Sequence, residues 1–173
     1  MKSTTWPQGT YQDQLIRDGK VVRDAGWHSN IVVDRCRHLL TAFMRGDAAA
    51  SGIEALDVGR GDPAWDATPL PPSPGTVQLV DLAPVTIPVA AADMSYLDAA
   101  GSAVPGPTHR LQIVITLAPG TPAPPMGETT YPLREFALFG DFGGERYMID
   151  YVRHPVIHKG AGDTLVRTIR LVF

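Results

Sequence analysis

Three runs near the carboxy terminus constrain the fold most: Leu133 to Phe139, Arg146 to Arg153 and Thr164 to Phe173. They are separated by Gly140-Asp141-Phe142-Gly143-Gly144 and by the stretch HPVIHKGAGD, both rich in turn-forming residues. In the last run Leu165, Ile169, Leu171 and Phe173 fall on one face and Thr168 and Arg170 on the other, which is the two-residue period of a half-buried strand. A chain ending on an aromatic at that spacing is expected to dock its last strand into the fold. The block predicts a mainly β protein, an antiparallel sheet or β-sandwich with one α-helix packed on it and long Pro/Gly-rich loops.

The rest of the chain fits that frame as a single domain over residues 1–173. Asp18-Gly19 lies between two short runs and marks an amino-terminal hairpin over residues 10–25, because both turn positions accept positive φ. Val32, Cys36, Leu39, Leu40 and Phe43 recur at helical spacing, with Ser29 or Asn30 to cap the start and Gly46 to end it. This predicts a helix over 30–46 lying against the sheet, with Leu40 and Phe43 as fold-defining contacts. A β core is expected over 53–173, with strands at GIEALDVG and at 109–118. Residues 76–89 read as an edge strand or a strand broken at Pro84, and residues 91–108 as a loop.

Composition limits the function classes. Apolar residues make up 44% of the chain, enough for a core, and no apolar run approaches the roughly 18 residues of a membrane span. Met1 to Pro7 lack the apolar segment of a signal peptide, so synthesis in the cytoplasm is expected. Cys36 is the sole cysteine and excludes an intrachain disulfide. A net charge of −3 speaks against nucleic-acid binding. The charge is uneven, however: residues 146–173 hold 5 Lys+Arg against 2 Asp+Glu, and the residues before them 10 against 16. Such an asymmetry can steer one subunit onto another.

Catalytic patterns are absent. The glycine stretch 140–144 precedes a strand rather than the helix that a phosphate loop needs, so it reads as a hairpin turn. Asp150, His154 and His158 stand four apart, but Pro155 breaks a helical face, and along a strand the two histidines lie about 13 Å apart, too far to share a metal. No metal or cofactor is expected. Glu135 with Asp141 or Glu145 is a carboxylate pair of the kind any acid-containing chain offers by chance. Arg60-Gly61-Asp62, the tripeptide of integrin-binding loops, reads here as a proline-ended turn.

Four segments carry a family resemblance: Asn30 to Gly46, IEALDVGRGD, LREFALFGDFGGERYMIDYV and VIHKGAGDTLVRTIRLVF. Their order resembles that of small structural proteins of bacteriophage tails and of tail-like contractile injection particles. The matching positions are Arg134-Glu135, Leu138-Phe139, Lys159 to Asp163 and Phe173; the Pro-rich middle and the His154/His158 pair depart from the pattern. The resemblance implies a non-enzymatic structural subunit of a baseplate, collar or fibre attachment, located in a virion or tail-like particle. Its implied partners are other particle proteins and further copies of itself, with neither nucleic acid nor membrane insertion. Arg153, His154, His158, Lys159 and Arg170 are the candidate subunit contacts, and Arg134, Glu135, Phe139 and Phe173 join Leu40 and Phe43 as fold-defining residues. The competing reading is a receptor- or carbohydrate-binding module, with Trp6, Trp27 or Trp65 as a stacking platform.

Overall fold

The computed structural model describes residues 7–173. β1 (Gln8–Arg17) and β2 (Lys20–Asp24) form the amino-terminal hairpin, followed by β3 (His28–Val32) and α1 (Asp34–Arg45). β4 (Ala55–Gly59), β5 (Val85–Pro88), β6 (Met94–Leu97), β7 (Ala103–Val104) and β8 (Arg110–Leu117) come from the middle of the chain. β9 (Thr130–Phe142), β10 (Glu145–Gly160) and β11 (Thr164–Val172) complete it. All pairings are antiparallel, in the order β5-β4-β9-β10-β3-β1-β11-β8-β6-β7, with β2 also on β1.

The joint in this ribbon is β3. Its first half pairs with β1 (Tyr11↔His28 to Gly9↔Asn30) and its second with β10 (Tyr151↔Ile31, Asp150↔Val32). One sheet therefore folds over at β3 into two facing halves that share a core. Ile113, Ile169, Leu171 and Leu15 come from one half, and Leu56, Phe136, Leu138 and Val152 from the other. The rings of Tyr11 and Phe136 meet edge-on across the gap, 5.2 Å between centroids. β9 and the middle of β10 are buried on both sides, because a second cluster of Val33, Leu79, Ala137, Phe139, Met148 and Tyr151 covers their outer face.

The turns follow their residues. Asp18 (φ 50°) and Gly19 (φ 73°) close the first hairpin, and Gly143 (φ 63°) and Gly144 (φ 88°) close the β9–β10 hairpin between paired Phe142 and Glu145. Positive φ at both central positions matches the right-handed strand twist. The glycine stretch is thus half strand and half turn.

The helix starts four residues later than the sequence suggests. Ser29 and Asn30 lie in β3, because they pair with Thr10 and Gly9 of β1 while β-branched Ile31 and Val32 pair with Tyr151 and Asp150 of β10. Val33 then takes the cap position in extended geometry without a side-chain bond. Other segments satisfy the backbone at this end: Asp34 N donates to the Pro74 carbonyl (2.9 Å) and Val33 N to that of Ile149 (3.0 Å). The inward face moves accordingly, with Cys36 and Leu39 buried, Leu40 half-buried and Phe43 45% exposed. Residues 91–108 contain β6 and β7 rather than loop alone. A turn held by Asp98, whose Oδ1 accepts from Ser102 N (2.8 Å), joins these two short strands. β10 also runs past Arg153 to Gly160; the register shift between Arg153 and Ile157 places exposed Pro155 where no ladder donor is needed. Phe173 packs against the core and its N–H bonds His109 O (2.8 Å), so the last strand is docked.

Two substitutions test the revised helix face. Leu39→Ala is expected to cost about 2–5 kcal/mol and Phe43→Ala less than about 1 kcal/mol, measured by urea denaturation. Equal losses at both positions would contradict the helix orientation.

Candidate functional site

The densest polar constellation lies inside the fold. Asp13 and Arg167 are direct cross-strand partners on the inward face of β1 and β11, among Tyr11, Leu15, Leu165 and Ile169. Arg167 Nε and Nη2 donate to the two Asp13 carboxylate oxygens, both at 2.7 Å, and the guanidinium lies 3.7 Å from the Phe136 ring centroid of the opposite half. His154 of β10 donates from Nδ1 to the Pro155 carbonyl (2.9 Å), leaving its Nε2 lone pair to accept from Arg167 Nη2 (3.2 Å). Burial, then the Arg167 charge, push His154 down to about 4, so it is neutral at physiological pH. Burial alone would raise the Asp13 carboxyl, but the Arg167 charge and hydrogen bonds outweigh it and hold Asp13 ionised. A cavity of about 110 Å³ adjoins this cluster, lined by Tyr11, Arg23, His28 and His154 among others. The arrangement offers no activated nucleophile. It is a buried ion pair with a neutral imidazole accepting a further bond from Arg167, whose Nη1 is left without a partner.

The candidate contact residues do not form one patch. Lys159 is fully buried and donates to Ala118 O (2.9 Å), and His154 is buried beside Arg167, so neither offers its charge to a neighbour. This corrects the expected basic surface: the extended β10 carries both side chains inward. His158 is exposed and within 3.3 Å of the Thr130 hydroxyl. Arg153 lies over the Trp65 ring (4.5 Å) on the outer face of the β9–β10 half. Arg170 lies over Trp27 (4.4 Å) and donates to Gln112 (2.9 Å) on the outer face of the β1–β11–β8 half. The two arginines thus sit on opposite sides of the molecule.

Arg134 and Glu135 pin loops to the sheet. Arg134 bonds Asp66 and the Arg60 carbonyl (2.9 Å). Buried Glu135 accepts from Val80 N (3.0 Å), from Asp81 N (2.6 Å) and from the Tyr151 hydroxyl. Asp81 continues the lock by accepting from Arg60 N (2.7 Å) and Ala83 N (3.0 Å). The loop over residues 76–84 is therefore fixed at its backbone, while Val77, Val80 and Leu82 stay 45%, 44% and 91% exposed. Phe139 lies under the Arg146 guanidinium (4.1 Å), which also grips buried Asp57 with two bonds of 2.8 and 2.9 Å.

Open surfaces among the described residues include an apolar groove and a polar sheet face. An apolar groove of about 460 Å³ runs between α1 and the β6–β8 edge, lined by Leu40, Phe43, Ile53, Met94, Leu111 and Phe173 among others. The outer face of β1, β11 and β8 displays Gln12, Thr168, Arg170, Gln112 and Val114, bordered by Trp27. Trp27 is 42% exposed, whereas Trp65 is buried at 6% and cannot stack on a ligand; Trp6 lies outside the described residues. Arg60-Gly61-Asp62 is irregular backbone rather than the expected turn, and Asp62 Oδ1 accepts from Ala64 N (2.9 Å) to cap the 3-10 turn Pro63–Trp65. Among the described residues no three His, Cys, Asp or Glu side chains are placed to hold a metal ion.

Glu135→Ala is expected to release residues 76–84. It leaves the buried Tyr151 hydroxyl and two partly buried backbone donors unpaired, at a cost of about 2 kcal/mol, and limited proteolysis should then cut within this loop. A variant as stable and as protease-resistant as the parent would show that Glu135 does not hold the loop. Comparison with protein-family models, with characterised proteins and with solved structures finds no match to this chain.

Proposed function

We propose that this chain is a non-enzymatic structural subunit of a phage tail or tail-like particle, acting through contacts with neighbouring subunits. The observation that carries the reading is the 76–84 loop, whose backbone is locked by Glu135 and Asp81 while Val77, Val80 and Leu82 face solvent. A loop ordered in advance loses little conformational freedom on binding, and exposed apolar side chains on it supply contact area. The sequence resemblance at 133–152 and 156–173 supports the same reading. Its matching residues include the pins Arg134 and Glu135 and the docked end at Phe173.

The test uses particles that lack the wild-type chain. Val80→Asp with Leu82→Asp should keep the parent's thermal midpoint, since both side chains are exposed, yet fail to incorporate. Normal incorporation of this double variant would overturn the contact role of the loop. A wild-type chain that never co-sediments with particles would overturn the subunit assignment itself.

Exposed Trp27 favours a second reading, a glycan-binding face on β1, β11 and β8, because an indole beside Gln112 and Arg170 combines a stacking surface with hydrogen-bond donors. Glycan-array binding that is lost in Trp27→Ala would establish that reading in place of the first.

A further inference from the structure

Asp150 and Glu135 are the described buried acids that no cation bonds, and Asp150 lies deepest in the joint of the sheet. The Asp150 side chain is fully buried on β10, opposite Val32 of β3, at the joint between the two halves of the sheet. Oδ1 accepts from Leu138 N of β9 (2.8 Å), and Oδ2 lies 2.6 Å from the terminal amide of Asn30 on β3. The charged and titratable groups facing it from the packed elements are Arg167 of β11 and Cys36 of α1. Arg167 gives Nε and Nη2 to Asp13 of β1 and His154 of β10, and its Nη1 bonds nothing, Asp150 included. Burial and the Asp150 charge push the Cys36 thiol up to about 12, so it stays neutral.

An ionised carboxylate here would be a buried charge without a counterion, and such groups keep their proton instead. The Asn30 geometry points the same way. A separation of 2.6 Å is short for N–H···O and ordinary for O–H···O. The other amide terminus, Oδ1, is buried without a partner and packed onto Gly9, where an added Cβ would come within 1.8 Å of it. A half turn of the amide exchanges its two ends without moving another atom, bringing Oδ1 to face the carboxyl.

We propose that Asp150 is protonated in the folded protein and donates to Asn30 Oδ1, forming a proton-dependent clasp that holds β3 to β10. Burial pushes the Asp150 carboxyl up to about 7, outweighing the opposing bonds from Leu138 and Asn30 and the Arg167 charge. The clasp is independent of any role in a particle.

The sign follows from linkage. Between the ordinary value of 3.8 and about 7 the folded chain holds one proton more than the unfolded chain at this site, so the Asp150 contribution to stability is lost as pH rises across that window. His154 acts oppositely: it is depressed from 6.5 to about 4, and its contribution is lost as pH falls through that range. The two nearly cancel from about pH 4 to 6.5 in the parent, so in unfolding stability the clasp shows against a variant lacking it.

The experiment is urea unfolding of the parent and Asp150→Asn from pH 4 to 8. The unfolding constant of the parent, divided by that of the variant, is expected to rise about tenfold per pH unit up to about pH 7 and then level off. A ratio independent of pH would overturn the proposal. Carboxyl ¹³C NMR of the parent gives the same answer without a variant: a midpoint near 7 for Asp150 is expected, and one below about 5 overturns it. Contacts between the Asn30 side-chain NH₂ and the Gly9 α-protons should be stronger at low pH than above pH 8, and contacts unchanged with pH would overturn the donor direction.

Discussion

The fold depends on the Asp13–Arg167 pair. Desolvating two charges costs several kcal/mol per ion, and only good geometry with further hydrogen bonds offsets it. Both are present: a two-pronged carboxylate contact at 2.7 Å, a third bond to His154, and the Phe136 ring beneath the guanidinium. Because Asp13 and Arg167 are direct cross-strand partners, the pair also fixes register. A one-residue slip would turn one of them to solvent and strand the other in the core. The same guanidinium reaches Phe136 and His154 of the facing half, so one side chain couples strand register to the closure of the sandwich.

Buried acids elsewhere repeat this logic on loops. Asp57 grips Arg146 and the Thr86 hydroxyl, Glu135 and Asp81 hold residues 80–83, and Asp163 takes Arg17 through two bonds of 2.8 Å. Hydrogen bonds from Arg17 push the Asp163 carboxyl down to about 2. A chain with so many prolines and glycines would otherwise carry mobile connections. Here the polar residues that might suggest catalysis are spent on order, leaving exposed apolar side chains on fixed loops, a suitable arrangement for subunit contacts.

Much of this was legible in the sequence, and the failures have physical causes. Turn residues and periodicity locate the Asp18-Gly19 and Gly143-Gly144 hairpins and the last strand, but residues 76–84, read as strand, are loop because Glu135 and Asp81 take their backbone N–H groups. Periodicity misplaces the helix start because Asn30, a favourable cap, lies in a strand whose two neighbours are distant in sequence. It shortens β10 because Pro155 reads as a terminator, whereas a bulge accommodates it. Charge alone singles out the five candidate contacts, and charge does not reveal that Lys159 and His154 are buried. A usable signal did exist for Arg167 and Asp13. Each sits in the apolar phase of its strand, Arg167 between Leu165 and Ile169 and Asp13 between Tyr11 and Leu15. A charge in that phase on two separate strands suggests a buried pair.

A double-mutant cycle measures the coupling by which Asp13 and Arg167 set register and join the halves. Asp13→Leu and Arg167→Met should each cost about 3–5 kcal/mol, since either leaves a buried charge unpaired, while the double variant should cost far less than their sum. Additive losses, or single variants within about 1 kcal/mol of the parent, would contradict the account.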